Sequence, residues 1–275
     1  MKKYILKTTL IVAAFTALTF TSCKKDTWDA NDTTTTEDQS MAESQENDIF
    51  TLSDNAVTNG SVTLKNGDVE TLGGPCVTVI VDSGSNPKKV TIDFGTVNCL
   101  GNDGKNRRGK IIITHSGKFR DIGSVMTVTT QDFYVNDNKV ELTKTVTCTA
   151  ALTWTIEVKN GKITLANGGG TITWSTSRTR KMIAGALTPF ILSDDKYEVT
   201  GSASGTNRGG IAYTMNITTP LLVDFSCAKS RVTKGVITFT AAGKADRSID
   251  FGNGTCDDEA VVTVGKKSKT IVLKR

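Results

Sequence analysis

The stretch that decides the fold is CVTVIVDSGSNPKKVTIDFGTVNC, from Cys76 to Cys99. Val77, Val79 and Val81 alternate with polar neighbours, Asp82 to Pro87 supplies turn residues, and Val90, Ile92 and Phe94 alternate on the way back. That is a half-buried strand, a reversal and a second strand. The pattern returns from Cys227 to Cys256 as CAKSRVTKGVITFTAAGKADRSIDFGNGTC. Each copy ends in Ile-Asp-Phe-Gly, three residues, then cysteine: Ile92-Asp93-Phe94-Gly95 with Cys99, and Ile249-Asp250-Phe251-Gly252 with Cys256. Each copy is expected to be a β-hairpin closed by its own disulfide, Cys76–Cys99 and Cys227–Cys256. A loop of that length is worth roughly 3 kcal/mol when cross-linked.

Outward from these units the same period-2 alternation recurs about every ten residues, with turn residues between. Valine and threonine dominate, which suits a pleated, half-buried surface. The expected fold class is all-β: an antiparallel, many-stranded meander forming a sandwich or open barrel, or a long curved sheet, with internal duplication. Strands are expected around Val62, Ile111–Ile113, Val125–Val128, Val140–Cys148 and Leu152–Val158. Asn160-Gly161 reads as a hairpin turn, with Ile163 and Leu165 on the return strand. Later strands centre on Ile172–Trp174, Tyr197–Val199, Ile211–Ile217, Leu221–Phe225, Val236–Phe239, Val261–Val264 and Ile271–Leu273. A second echo pairs Gly109-Lys110-Ile111 with Gly161-Lys162-Ile163, and FYVNDNKVELT from Phe133 with FILSDDKYEVT from Phe190.

The N-terminus carries a different signal. Lys2, Lys3 and Lys7 precede an apolar run from Ile11 to Phe20, then Thr21-Ser22-Cys23. Residues 1–22 read as a secretory signal. A small residue before a cysteine at the end of an apolar run resembles the bacterial lipoprotein signal, which implies that the chain is cut before Cys23 and acylated on it, and so is anchored to a membrane by lipid rather than by a span. Residues 23–48 are acidic and polar with few aliphatics, and read as a disordered spacer. Residues 49–275 form the β-rich domain, with Ile49, Phe50, Ala56 and Val57 suggesting a short helix docked on it. The net charge is +5. The spacer is acidic, so the excess of positive charge lies in the domain, where Lys105, Arg107, Arg108 and Lys110 form the one dense cluster, read as a solvated loop.

Six cysteines less Cys23 leave five, and Cys148, in phase with Val146, is expected to be a buried, inert thiol. His115 is the single histidine, and neither a Gly-x-Ser-x-Gly elbow nor Cys-x-x-Cys metal spacing occurs. The acidic groups Asp194-Asp195 and Asp257-Asp258-Glu259 sit where turns are expected. Asn102-Asp103-Gly104-Lys105 matches no calcium loop. The expectation is a non-enzyme with no catalytic residues, no metal and no cofactor. Trp154 and Trp174, on neighbouring strands, are the candidate ligand-binding residues, as an aromatic platform for a sugar or, in phase with their apolar neighbours, as core.

Several elements resemble a group of uncharacterised exported lipoproteins of the Bacteroidota. They are the two Ile-Asp-Phe-Gly/Cys units, Gly109-Lys110-Ile111, Tyr134-Val135 with Lys139-Val140-Glu141, Thr171-Ile172-Thr173-Trp174 with Arg178-Thr179-Arg180, and Gly205-Thr206-Asn207-Arg208. The resemblance implies a cell-envelope location, in the outer membrane on its periplasmic or surface side, and a β fold, without a mechanism. The expected role is a binding or structural protein of the envelope, with a glycan or envelope protein as partner and no nucleic acid. The alternative is a carbohydrate-binding or carbohydrate-processing surface lipoprotein.

Overall fold

The computed structural model describes residues 34–59, 75–101, 103–188, 191–227 and 231–272. The signal, Cys23, the first part of the spacer, the strand expected at Val62 and the residues Phe190 and Leu273 lie outside them.

Among the described residues one α-helix, α1 (Thr34–Asn59), precedes fourteen strands. These are β1 (Thr78–Asp82), β2 (Lys88–Asp93), β3 (Cys99–Leu100), β4 (Asn106–His115), β5 (Val125–Val135), β6 (Asn138–Ala150) and β7 (Thr153–Thr164). They continue with β8 (Thr171–Ala184), β9 (Lys196–Thr206), β10 (Ala212–Asp224), β11 (Val232–Ala241), β12 (Arg247–Asn253), β13 (Glu259–Val264) and β14 (Lys267–Val272). All belong to one antiparallel sheet. Its order is the chain order, except that the two-residue β3 pairs only with β4, beside β2. Among the described residues the sheet does not close, and β1 and β14 are its two edges. The many-stranded antiparallel meander read from the sequence is therefore the fold.

The two cysteine units are local structures of one kind. β1 and β2 form the first hairpin, β11 and β12 the second. Disulfides join Cys76 to Cys99 and Cys227 to Cys256, with Cα atoms 5.9 and 5.2 Å apart. In both, the aspartate of Ile-Asp-Phe-Gly accepts a hydrogen bond of 2.9 Å from the glycine N–H two residues on. The glycines, Gly95 and Gly252, have φ of 78° and 86°. In the first copy this carboxylate caps the end of β2, in the second it sits at a bulge near the end of β12, and in both the positive φ is why glycine stands there.

Two strand readings need correction. Asn160-Gly161 is not a turn. β7 runs through it as a bulge, with Asn160 at φ 54° and a register shift against β8 between Val158 and Gly161. The chain reverses later, at the 3₁₀ turn Ala166–Gly168. An ideal Cβ on Gly161 would lie 2.4 Å from the indole of Trp174, so the glycine is there to seat a ring rather than to reverse the chain. The hairpin with two consecutive positive-φ residues is instead β5–β6, at Asn136 (48°) and Asp137 (65°). Likewise Ile211–Ile217 and Leu221–Phe225 are not two strands. β10 is one strand with register irregularities around Thr219 and Pro220, where proline can donate no ladder bond. The second echo survives only in part. Gly109 and Gly161 both sit at bulges, and Lys139–Thr143 and Lys196–Thr200 both lie in strands, but Leu192–Asp194 is a 3₁₀ turn where Val135–Asp137 carries a strand end and tight turn.

The largest correction concerns the spacer. Its residues from Thr34 onward form the N-terminal half of α1, a 26-residue helix that also takes in the short helix expected at Ile49–Val57. Burial along it follows helical spacing: Thr35, Asp38, Gln39, Ala42, Glu46, Ile49, Leu52, Ser53 and Ala56. The first half of that stripe is written mostly in polar residues, so hydropathy does not reveal it.

The sheet is curled around this helix. Strands from β4 to β10 supply side chains that touch α1: Arg107, Lys144, Trp174, Arg178 and Tyr213 all do. Laid flat, seven strands would span about 29 Å at their usual spacing, against a helix about 10 Å wide. A cross-strand row shows how the bend is built. Gly161, Trp174, Gly205 and Tyr213 are successive neighbours on β7, β8, β9 and β10. Trp174 covers Gly161, and a Cβ on Gly205 would lie 2.8 Å from the Tyr213 hydroxyl. Large rings over glycines give the sheet a sharp concave face.

Three outcomes follow. Gly161→Val drives a side chain into the buried indole and is expected to cost about 2–3 kcal/mol in urea unfolding. Gly168→Ala, at φ 72° with open space around it, is expected to cost only about 1 kcal/mol, for the left-handed backbone alone. Peptide mapping of the oxidised protein is expected to return Cys76–Cys99 and Cys227–Cys256, with Cys148 alkylated only after unfolding.

Candidate functional site: a basic concave face filled by an acidic helix

The concave face of the sheet carries cations where a β core usually carries hydrocarbon, and α1 answers each with an acid or a polar group. At its N-terminal end, Asp38 is fully buried. It accepts from the backbone N–H of Arg208 at 2.7 Å and from its Nε at 2.6 Å. Asn207 donates to the Thr35 hydroxyl at 2.9 Å, and the Tyr213 hydroxyl donates to Gln39 Oε1 at 2.7 Å. One turn on, Glu43 pairs with Arg178. Burial works against the Arg178 charge, but Glu43 and Glu46 override it and raise its pKa.

Glu46 is the centre of the interface. Its carboxylate accepts from Trp174 Nε1 and, at 3.0 Å, from the Thr176 hydroxyl. Its backbone carbonyl accepts from Lys144 Nζ at 3.3 Å. Lys144 is 3% exposed, and its ammonium lies 5.0 Å from the Phe50 ring centroid. Burial pulls its pKa down to about 8, against the opposing pull of Glu46. Asp48 then meets Arg107 at 2.7 Å and Lys105 at 3.2 Å. Arg107 also takes both carboxylate oxygens of Asp103, at 2.9 and 2.6 Å, in a bidentate fork.

The basic cluster is therefore not a solvated loop. Arg107 is fully buried on β4, Arg108 pairs with Asp137 and stacks on Tyr134 at 3.9 Å, and Lys110 pairs with Asp93 at 2.8 Å. Further along, Asp54 lies near Arg180 and Arg120. Burial raises its carboxyl to about 6, against the pull of both arginines. Arg180 stacks on Tyr197 at 3.6 Å.

The candidate residues fall as follows. Trp154 and Trp174 are 2% and 1% exposed and belong to the core. Trp154 stacks on Phe119 at 4.9 Å and donates to its carbonyl, while Trp174 is spent on Gly161 and Glu46. A sugar platform needs an exposed ring face, so that reading is corrected. Cys148 is buried and free, its thiol pushed up by burial. The fold brings it beside His115 and Ser124 around a cavity of about 10 Å³, the size of one water. That meeting depends on the register of β4, β5 and β6, which sets His115 opposite Met126 and Met126 opposite Val146, and the sequence does not state that register. His115 is held by its Nδ1 on the Gly117 carbonyl at 3.1 Å, and the thiol points at the carbonyls of Ala150 and Arg120.

The acidic groups are consumed locally. Asp194 accepts from Thr188, Asp195 from Tyr197 at 2.8 Å, and Asp257 from the Glu259 N–H at 3.1 Å. Among the described residues, one group has metal-ligand proximity, Asp224 with Cys227 and Cys256. Its two sulfurs are joined in the disulfide, and Asp224 pairs with Lys196 at 2.7 Å. An open groove of about 530 Å³ lies over the glycine row, lined by Lys162, Thr173, Ser175, Ser204 and Thr206.

The Lys144 site has a pH signature. Between about 8 and 10.5, the unfolded chain holds a proton on Lys144 that the folded chain has lost, so this residue makes stability rise with pH across that window. The stability difference between the parent and Lys144→Met, followed by urea unfolding at closely spaced pH values, is expected to shift in the parent's favour from pH 8 to 10 and to be flat from pH 6 to 7.5.

The chain matches no protein-family model, no curated protein and no solved structure.

Proposed function

We propose that this chain is a lipid-anchored protein of the cell envelope, acting as a binding or structural protein rather than as an enzyme. The observation that carries the reading is how the interior is used. The chemically capable side chains of the concave face, Arg107, Lys144, Arg178 and Arg208, are held by α1. The thiol and imidazole at the cavity are held by backbone carbonyls. The interior charges thus serve to hold the fold, and what is left for a partner is the outer surface and the strand edges.

The two disulfides support an oxidising compartment. The Lys2–Lys7 charges, the Ile11–Phe20 run and Cys23 support export followed by acylation. Among the described residues no helix is long and apolar enough to cross a membrane. Two or three acyl chains on Cys23 hold a protein firmly, at about 0.8 kcal/mol per buried methylene. A carbohydrate ligand has lost its tryptophan platform and would have to use the hydroxyl-lined groove at Thr173 and Ser204.

The test is metabolic labelling with an alkyne fatty acid in a bacterial host, followed by fractionation. The parent is expected to label and to sediment with membranes. Cys23→Ser is expected to lose both the label and the membrane association. An unlabelled parent that remains in the soluble fraction would overturn the anchor.

A further inference from the structure

An open sheet leaves two edges, and this chain treats them differently. At one edge, β14 carries Lys267 and Lys269 opposite Val264 and Val262. Those valines are buried, so both lysines stand on the same face as the core, at its rim. Inward-pointing charge on an edge strand is a device that stops another strand from pairing there. At the other edge, β1 sets Val79 and Val81 opposite the buried Ile92 and Val90. There the rim of the core carries valine, with no lysine, proline or bulge between Thr78 and Asp82. Ile80 on the outer face and Val81 on the core face are 53% and 55% exposed.

This edge is held in place. Cys76, two residues before β1, is tied to Cys99 on β3. At the far end Asp82 accepts from the N–H groups of Gly84 and Ser85 at 3.1 and 3.2 Å. A strand clamped at both ends, with its outer ladder groups free of guarding charge, is a template for one more strand.

We propose that β1 is an assembly edge, and that its occupant is β1 of a second copy, paired antiparallel across a two-fold axis at Ile80. Self-complementarity argues for the copy. With Ile80 opposite Ile80 of its partner, Val79 meets Val81 on the core face and Thr78 meets Asp82 on the ends. The single charge of the strand faces a hydroxyl, and no like charges meet. The antiparallel sense continues that of every other pair in the sheet, and the interface is isologous, so it closes at two copies. The same operation at β14, centred on Lys269, would set that lysine against its own copy on the core face. A five-residue seam is short, so the dimer is expected to be weak and to be seen at high concentration.

The experiment is sedimentation velocity of the full chain from micromolar to near-millimolar concentration, with cross-linking in parallel. The expected result is a concentration-dependent dimer. Val81→Lys, which copies the guard found on β14, raises its dissociation constant by at least ~10-fold. Val272→Lys, on the opposite edge, leaves it unchanged. Directly opposed residues in an antiparallel pair have Cα atoms about 4.5–5.5 Å apart, within disulfide range. Ile80→Cys is therefore expected to give a disulfide-linked dimer on a non-reducing gel, and Val272→Cys is not. The proposal is overturned by a monomer at every concentration, or by a dimer that survives Val81→Lys. It is equally overturned by hydrogen exchange showing β1 and residues 60–74 protected together in a monomer, which would make this chain's own segment the occupant.

Discussion

The concave face of the sheet depends on the pairing of its cations with the acids of α1. Arg107, Lys144 and Arg178 project from β4, β6 and β8 toward the interior, and Arg208 meets the helix from the β9–β10 turn. Left unpaired, a buried charge of this kind costs several kcal/mol. Asp38, Glu43, Glu46 and Asp48 come from less than three turns of one helix, and each lands on a cation or an indole N–H. The apolar residues Ile49, Leu52 and Ala56 extend the same stripe into the hydrocarbon part of the core. The helix is thus a polar core element in its first half and an apolar one in its second.

Curvature and charge are linked through Trp174. Its ring needs Gly161 beneath it to let the sheet bend, and its Nε1 needs Glu46 above it to avoid a buried, unpaired donor. One side chain therefore couples the bend of the sheet to the seating of the helix. Tyr213 does the same on β10, with Gly205 beside its ring and Gln39 as its partner. The curl and the helix are one construction, in which neither part has satisfied polar groups without the other.

This construction bears on function by what it occupies. The concavity of a curled sheet is a usual place for a ligand, and here α1 fills it. Of the residues that looked available for chemistry in the sequence, Trp174, Lys105 and Arg107 are engaged with that filling, while Trp154 packs on Phe119 and Arg108 and Lys110 pair with Asp137 and Asp93. What faces outward is a hydroxyl-rich convex surface, a shallow groove over the glycine row, and two edges of unequal character. The disulfides lie at the two ends of the chain's path across the sheet, one beside the β1 edge and one two strands in from β14, where each ties down a hairpin.

Strand alternation made the all-β class legible, because period 2 is a local property that each strand displays by itself. The Cys76–Cys99 and Cys227–Cys256 pairs were legible for the same reason, since each closes a hairpin already marked by Ile-Asp-Phe-Gly. The acidic stretch at Thr34–Asp48 was not. A helix whose buried stripe is Thr35, Asp38, Gln39 and Glu46 looks like solvated chain until its cations are known, and those lie 57 to 170 residues away. Asn160-Gly161 failed similarly: the dipeptide permits a turn, but Trp174 on the next strand makes it a bulge. What the chain alone determined was therefore its local periodicity and its cystine-closed hairpins. Tertiary structure decided which polar residues are interior, because a buried charge is stable only beside a partner, and partners are chosen by the fold rather than by neighbours in sequence.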